Sequence, residues 1–423
     1  PRNMYQRGHN VFEHHVKTYG PQDQFGYTDV FPMFQAERFD PRAWIEVFKN
    51  AGARFIVPVA EHHDGFAMYE TKLNRWNAAE MGPKRDIIGE LASAARDAGL
   101  IFGASTHRIE HFWFLNGGTQ FSSDVTDPQF ADLYGPAKPD NTPPDAAWME
   151  DLLARCIELA DKYQPQLFYF DWWIEQPAAK PYLRQFAAHY YNRAAQWNKG
   201  VAINYKHDAY APGSAVFDVE RGQMAELQPN FWQTDTALAT NSWGYVDGMR
   251  YKTAEWIVTD LIDIVSKNGS LLLNVGPRAD GTIPDEDQAI LRDIGAWLKL
   301  NGEAIYATRP WKVYGEGPTQ ITGGGFTDQQ PRTFTTEDFR FTTRGQRTIY
   351  AICLGRAKPG QALSIASLGS NIKLLPAEIH RVSILGQADD KVSWSREAAG
   401  LRITLPDDLR DGTFGVSFKI EHA

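Results

Sequence analysis

Between Arg54 and about Asn301, short apolar runs alternate with longer stretches that repeat apolar residues at helical spacing. This is the pattern of strand and helix units around a parallel sheet. It predicts strands over residues 55–59, 101–106, 166–171, 201–205, 215–220, 230–234 and 270–276. Helices are predicted over 41–51, behind the capping residue Asp40, and over 85–98, stopped by Gly99. Further helices are predicted over 148–163, 178–197, 252–267 and 285–301. The alternation defines an α/β class and a (β/α)8-type, TIM-like barrel. Such a barrel needs one more strand ahead of the first helix, and residues 1–40 offer no candidate, so an incomplete barrel is expected.

After Trp311 the texture changes to short β-rich pieces separated by Gly and Pro, over 339–343, 348–354, 378–384, 392–395, 401–404 and 415–420. Strands at this spacing predict a C-terminal β-sandwich of roughly 110 residues. The expected domains are a catalytic barrel over 1–310 and a sandwich over 311–423. The segment 112–144 is rich in Pro and Gly and is expected to be an active-site loop. Gly323, Gly324 and Gly325 are expected to make a flexible turn rather than a phosphate cradle.

Composition narrows the function. A net charge of -9 offers nothing to neutralise a phosphate backbone, which excludes nucleic acid as the expected partner. No run of about 18 apolar residues is present, so no membrane span is expected. The two cysteines, Cys156 and Cys353, lie far apart and indicate neither a disulfide framework nor a thiolate metal site. Aromatic residues make up 13% of the chain, enough to provide flat platforms for sugars or simply to fill cores.

In a barrel of this type chemistry gathers at the C-terminal ends of the strands. Asp171 closes the apolar run of residues 167–170 and is a candidate catalyst, the alternative being an Asp that caps the next helix. Glu220 closes residues 215–219, either as a second catalytic carboxyl or as the partner of Arg221. Retaining glycosidases need two such groups about 5 Å apart. Asp218 shares the face of Glu220 but lies further from the mouth. His62 and His63 follow the first predicted strand and suit hydroxyl recognition, with Gly65 allowing a tight turn. Without a third close ligand, a metal there is not expected. His107, Glu110 and His111 follow the next strand, as pocket lining or as a buried hydrogen-bonded set.

These residues resemble glycoside hydrolase family 29, the α-L-fucosidases. The family's His-His-Asp-Gly-Phe motif stands at 62–66 and its Gly-Pro-Lys-Arg-Asp stretch at 82–86. Residues 271–277, 280–283 and 301–306 match its motifs after the last strand. The resemblance implies a retaining exo-acting α-L-fucosidase that removes terminal α-L-fucose from a fucosylated oligosaccharide or glycoconjugate, without cofactor or metal. Asp171 would be the nucleophile and Glu220 the acid/base, with Glu226 in reserve. Glu220 would need its pKa raised by burial and by the charge of Asp171. His62, His63 and His107 would bind sugar hydroxyls, while Tyr169, Trp172 and Trp232 would pack on the sugar.

Two departures accompany the resemblance. Many relatives carry Trp-Glu where this chain has Trp232 and Gln233. The family's first strand, which carries another sugar-binding histidine, would precede Pro1, and a homo-oligomer is the expected compensation for its absence. A periplasmic or extracellular setting is the expected one for such an enzyme. Rival readings are a catalytically impaired fucose-binding protein and a retaining hydrolase of a related sugar such as α-L-galactose.

Overall fold

The computed structural model describes residues 1–387, 392–409 and 414–423. Two compact units comprise Pro1–Lys49, Ala53–Phe217 and Pro277–Ile283 in one, and Asn50–Gly52, Asp218–Gly276 and Pro284–Ala423 in the other.

The first unit opens with a helix, α1 (Asn10–Tyr19), flanked by 3-10 turns, and residues 1–40 contain no strand. Helix α2 (Pro41–Asn50) starts where expected, because Asp40 Oδ1 accepts from the amides of Arg42 and Ala43 at 2.9 and 3.1 Å. The strand predicted over 55–59 is two pieces, β1 (Phe55–Ile56) and β2 (Val59–Glu61). Pro58 between them has no N–H for the ladder. Both pieces pair in parallel with β3 (Ile101–Thr106), which is followed across the sheet by β4 (Leu167–Phe170), β5 (Ala202–Tyr205) and the start of β6 (Val216–Glu220).

The connecting helices of this unit are α3 (Ile87–Asp97), the short α4 (His111–Phe114) and α5 (Ala131–Tyr134), α6 (Ala146–Tyr163) and α7 (Lys180–Trp197). The segment expected to be one long loop over 112–144 therefore contains brief helical turns. One packing relation positions the site. Phe168 and Phe170 of β4 pack on Phe186 of α7, with ring centroids 4.4 and 5.3 Å apart. Strand alternation then turns Tyr169 and Asp171 to the opposite face of the sheet.

In the second unit β7 (Trp232–Ala237) and β8 (Gly269–Asn274) run parallel and in register over six residue pairs. Helix α8 (Ala254–Ser266) is capped by Thr253, and α9 (Asp285–Asn301) begins with three acidic residues that suit the positive end of a helix. The C-terminal region is antiparallel. A five-stranded sheet joins β9 (Arg309–Glu316), β10 (Phe339–Arg344), β11 (Thr348–Cys353), β13 (Ile379–Ile384) and β16 (Val416–His422). A three-stranded sheet joins β12 (Ala362–Ile365), β14 (Ser393–Arg396) and β15 (Leu401–Thr404).

Leu363, Ile365, Leu401 and Ile403 alternate inward and meet Phe339, Phe341 and Phe418 in one core, the arrangement of a sandwich. The sequence pattern does not predict β9 or β12. Pro310 and Gly315 interrupt β9, which lies at a sheet edge where Pro is tolerated, and β12 has only four residues. The fold class is thus α/β, with parallel strands in chain order as in an incomplete (β/α)8-type barrel, followed by antiparallel sheets. Among the described residues no helix is long and apolar enough to cross a membrane.

Candidate active site

Asp171 follows β4 directly and is the centre of a cluster within the first unit. His107, just after β3, places Nδ1 2.8 Å from Asp171 Oδ2, and Ser105 Oγ lies 3.3 Å from Nε2 of the same ring. His63, just after β2, approaches the same carboxylate oxygen with Nε2 at 3.3 Å. The direction of that approach is poor for a hydrogen bond, so it is an ion-pair contact. The other nitrogen of His63 is 2.9 Å from Glu110 Oε2, and Arg2 stands 3.7 Å from Glu110 Oε1. Lys206, after β5, brings its buried ammonium to 4.0 Å from Asp171 Oδ1. Tyr169 lies beneath the cluster, its ring 6.1 Å from that of His107 and 5.9 Å from the Lys206 ammonium.

The charges follow from these contacts. Burial disfavours a charged Asp171, yet His107, the contact with His63 and the Lys206 ammonium together hold its carboxyl well below the usual range. Desolvation likewise opposes the charged form of His63, but Asp171 and Glu110 raise it to about 9. His62 is open to water on one side. Desolvation within the cluster, then His107 and His63, push it well below the ordinary histidine value. The site therefore holds a carboxylate, a charged imidazole and a neutral one side by side.

His62, His63 and His107 place ring nitrogens within 4.8 Å of one another, so the fold supplies the third imidazole that is missing beside His62 and His63 in the sequence. With His63 charged, its two N–H groups face the carboxylates of Glu110 and Asp171.

The turn that carries these histidines is tightly made. Gly65 has φ +81°, and a Cβ there would lie 2.8 Å from the His111 ring. His111 itself is fully buried between the carbonyls of His63 and Leu133 at 2.7 and 2.5 Å, and is a structural residue. Trp172 is half-buried with its ring edge-on to His207, and Trp173 adopts the left-handed conformation at φ +71° against Trp113. A bulky residue in that region is strained, as residues beside reacting groups often are.

Sequence reasoning did not single out Lys206 or the ionic support below the histidines. Glu61 is fully buried and receives Arg108 at 3.2 Å and Arg155 at 3.3 Å, and both arginines also pair with Asp151. Glu61 precedes His62 and Arg108 follows His107, so this network fixes the backbone on both sides of the cluster. Arg155 sits in the inward stripe of α6 with Leu152 and Leu159. A cation at a core position was the available signal.

The remaining expected residues belong to the second unit. Glu220 ends β6 and is half-buried. Arg221 after it turns left-handed at φ +46° and donates to the Ala239 carbonyl at 3.2 Å, with its guanidinium 4.4 Å from the Trp243 ring centre. Asp218 is buried and accepts from Gln233 Nε2 at 2.7 Å. Glu226 is exposed beyond the strand.

Trp232 corrects an expectation. It is the first residue of β7, at the strand end opposite to that used by barrel sites, and only 1% exposed. Its indole N–H donates to the Lys267 carbonyl at 2.9 Å and its ring fills the space over Gly269. A ring so enclosed cannot stack on a sugar.

The family described as alpha-L-fucosidase matches residues 1–303. The chain is 30% identical to the tissue alpha-L-fucosidase of Rattus norvegicus over 405 residues, 93% of this chain and 77% of that protein. It is 29% identical to the human tissue alpha-L-fucosidase over 395 residues, 90% of this chain and 74% of that one. Among solved structures, the Thermotoga maritima alpha-fucosidase in complex with fucose superposes with a TM-score of 0.76 at 28% identity, covering 99% of this chain and 87% of the other. Motifs, fold and relatives agree, and the chain belongs to the α-L-fucosidase family.

Proposed function

We propose that the protein hydrolyses terminal α-L-fucose from glycans by a retaining double displacement, with Asp171 as nucleophile and Glu220 as acid and then base. The observation that carries this reading is the state of Asp171, a half-buried carboxylate at a strand end held towards its ionised form by His107, His63 and Lys206.

An ionised carboxylate beside the anomeric carbon attacks it as Glu220 gives its proton to the departing glycosidic oxygen. The C1–O bond to the leaving group breaks as the bond to Asp171 forms, and the ester that results is neutral. Loss of the negative charge at Asp171 favours ionisation of Glu220, which then takes a proton from water. Water attacks C1, the ester bond breaks, and Asp171 leaves as carboxylate. Two inversions restore the α configuration.

His62, His63 and His107 bind the sugar hydroxyls in this reading, and their neighbouring charged and neutral rings suit a pattern of donors and acceptors. Tyr169 forms the floor, and the half-buried Trp172 offers an apolar surface for the C6 methyl.

Azide rescue of Asp171→Gly tests the assignment. The variant is expected to lose about 10^4-fold or more in hydrolysis of an aryl α-L-fucoside and, with azide, to release β-L-fucosyl azide. Turnover undiminished by the substitution, or an α-azide as product, would remove Asp171 from the role of nucleophile.

A further inference from the structure

Residues 323–328 form a strap across the end of β6 within the second unit. Gln223 N donates to Gly324 O at 3.3 Å and Gly324 N to Gln223 O at 2.8 Å. Phe326 N donates to Glu220 O at 2.8 Å and Asp328 N to Arg221 O at 3.0 Å. The backbones approach more closely than side chains would permit. A Cβ on Gly222 would lie 1.8 Å from Gly324 O, one on Gly323 2.8 Å from Ala225 N, and one on Gly325 3.1 Å from Glu220 O. The three consecutive glycines, expected to be a flexible turn, are fitted to the strand end.

Both ends of the strap are held. Asp328 is buried, accepts from Thr236 Oγ1 at 2.5 Å and pairs with the enclosed Lys252 ammonium, which itself reaches Thr236 Oγ1 at 2.6 Å. Between the glycines and this anchor stands Phe326. Its φ of +56° is a conformation that aromatic residues rarely adopt, and the residue is 48% exposed. Gly or Asn would meet the backbone requirement more easily. An exposed ring in a strained, doubly anchored backbone has the character of a recognition element.

We propose that Phe326 is the platform for the leaving group, its ring packing on the apolar face of the sugar to which the fucose is attached. This inference rests on the reading of Glu220 as proton donor. The donor must lie beside the glycosidic oxygen, so the residue bonded through that oxygen passes next to the strand end that carries Glu220. Phe326 is hydrogen-bonded through its backbone N–H to that strand end. It would set preference among aglycones and play no part in holding the fucose itself.

The test compares kcat/KM of wild type, Phe326→Ala and Phe326→Trp on an α-L-fucosyl-galactose disaccharide and on α-L-fucosyl fluoride, with Glu220→Gln alongside. Fluoride departs without a proton donor and presents no aglycone ring. Phe326→Ala is expected to lose about tenfold on the disaccharide, mostly through KM, and to stay within about twofold of wild type on the fluoride, while the Trp variant keeps disaccharide activity. Equal losses on both substrates, or no loss on the disaccharide, would overturn the platform. If Glu220→Gln hydrolyses the disaccharide as well as wild type does, the donor reading falls and the platform falls with it. Dependence on Glu220 without dependence on Phe326 overturns the platform alone.

Discussion

His63 stands between two carboxylates, with Nε2 3.3 Å from Asp171 and Nδ1 2.9 Å from Glu110. Against the opposing effect of desolvation these partners raise its pKa to about 9, above the ordinary value of about 6.5. The folded state therefore holds this proton more tightly than the unfolded chain. The stabilisation is complete below about pH 6.5 and is lost as pH rises through about 9. The thermal midpoint of wild type should fall between pH 7 and about 9.5 by more than that of His63→Gln, and kcat/KM should fall over the same range. Parallel pH curves for the two proteins would show that His63 carries no such proton.

Lys206 acts on Asp171 from the other side, its ammonium 4.0 Å from Oδ1. Replacing it with Met removes a cation and leaves an apolar chain of similar length. Asp171 then loses one of the groups that hold it low, and its pKa rises towards the ordinary range. The expected result for Lys206→Met is an acid limb of the pH–rate profile displaced upward, with little change in kcat/KM near neutrality, where Asp171 stays ionised. An unmoved acid limb would assign Lys206 a packing role.

The strand ends were legible in the sequence because an apolar run followed by a carboxylate or histidine leaves a strong local mark. Asp171, His62, His63 and Glu220 all carry it. What brings them into a site depends on pairing between distant strands, and here single residues mislead. Trp232 lies beside a strand as Trp172 does, but it occupies the first position of β7 and not the last, a distinction that periodicity over four residues cannot make. Glu61 carries no mark in the sequence beyond its place next to His62, since its partners Arg108 and Arg155 are 47 and 94 residues away. The glycines at 323–325 look like a flexible turn until their contacts with residues 220–225 are known.

Glu61 gives the clearest test of the support beneath the histidines. Its carboxylate is shared by Arg108 and Arg155 in a region closed to water. Desolvation, then the neighbouring Arg155, already lowers the pKa of Arg108, so the arginines depend on their acidic partners. Glu61→Gln leaves two buried cations short of one charge and should cost about 3–5 kcal/mol in urea unfolding. Substitution of the exposed Glu70, which pairs with Lys162 at the surface, should leave the unfolding midpoint almost unchanged. Equal costs would mean that the buried network contributes nothing special.

Trp232 separates core from site by a different measurement. Its ring is enclosed by the second unit and its N–H is satisfied by Lys267, so Trp232→Ala opens a cavity and should cost about 3–5 kcal/mol of stability. Trp232→Phe, which keeps most of the volume and loses the hydrogen bond, should cost about 1–2 kcal/mol and remain folded at assay temperature. Because neither change touches a surface open to substrate, kcat and KM of the folded fraction should stay within about twofold of wild type. A rise in KM for the Phe variant without loss of folded protein would show that the indole reaches the sugar after all.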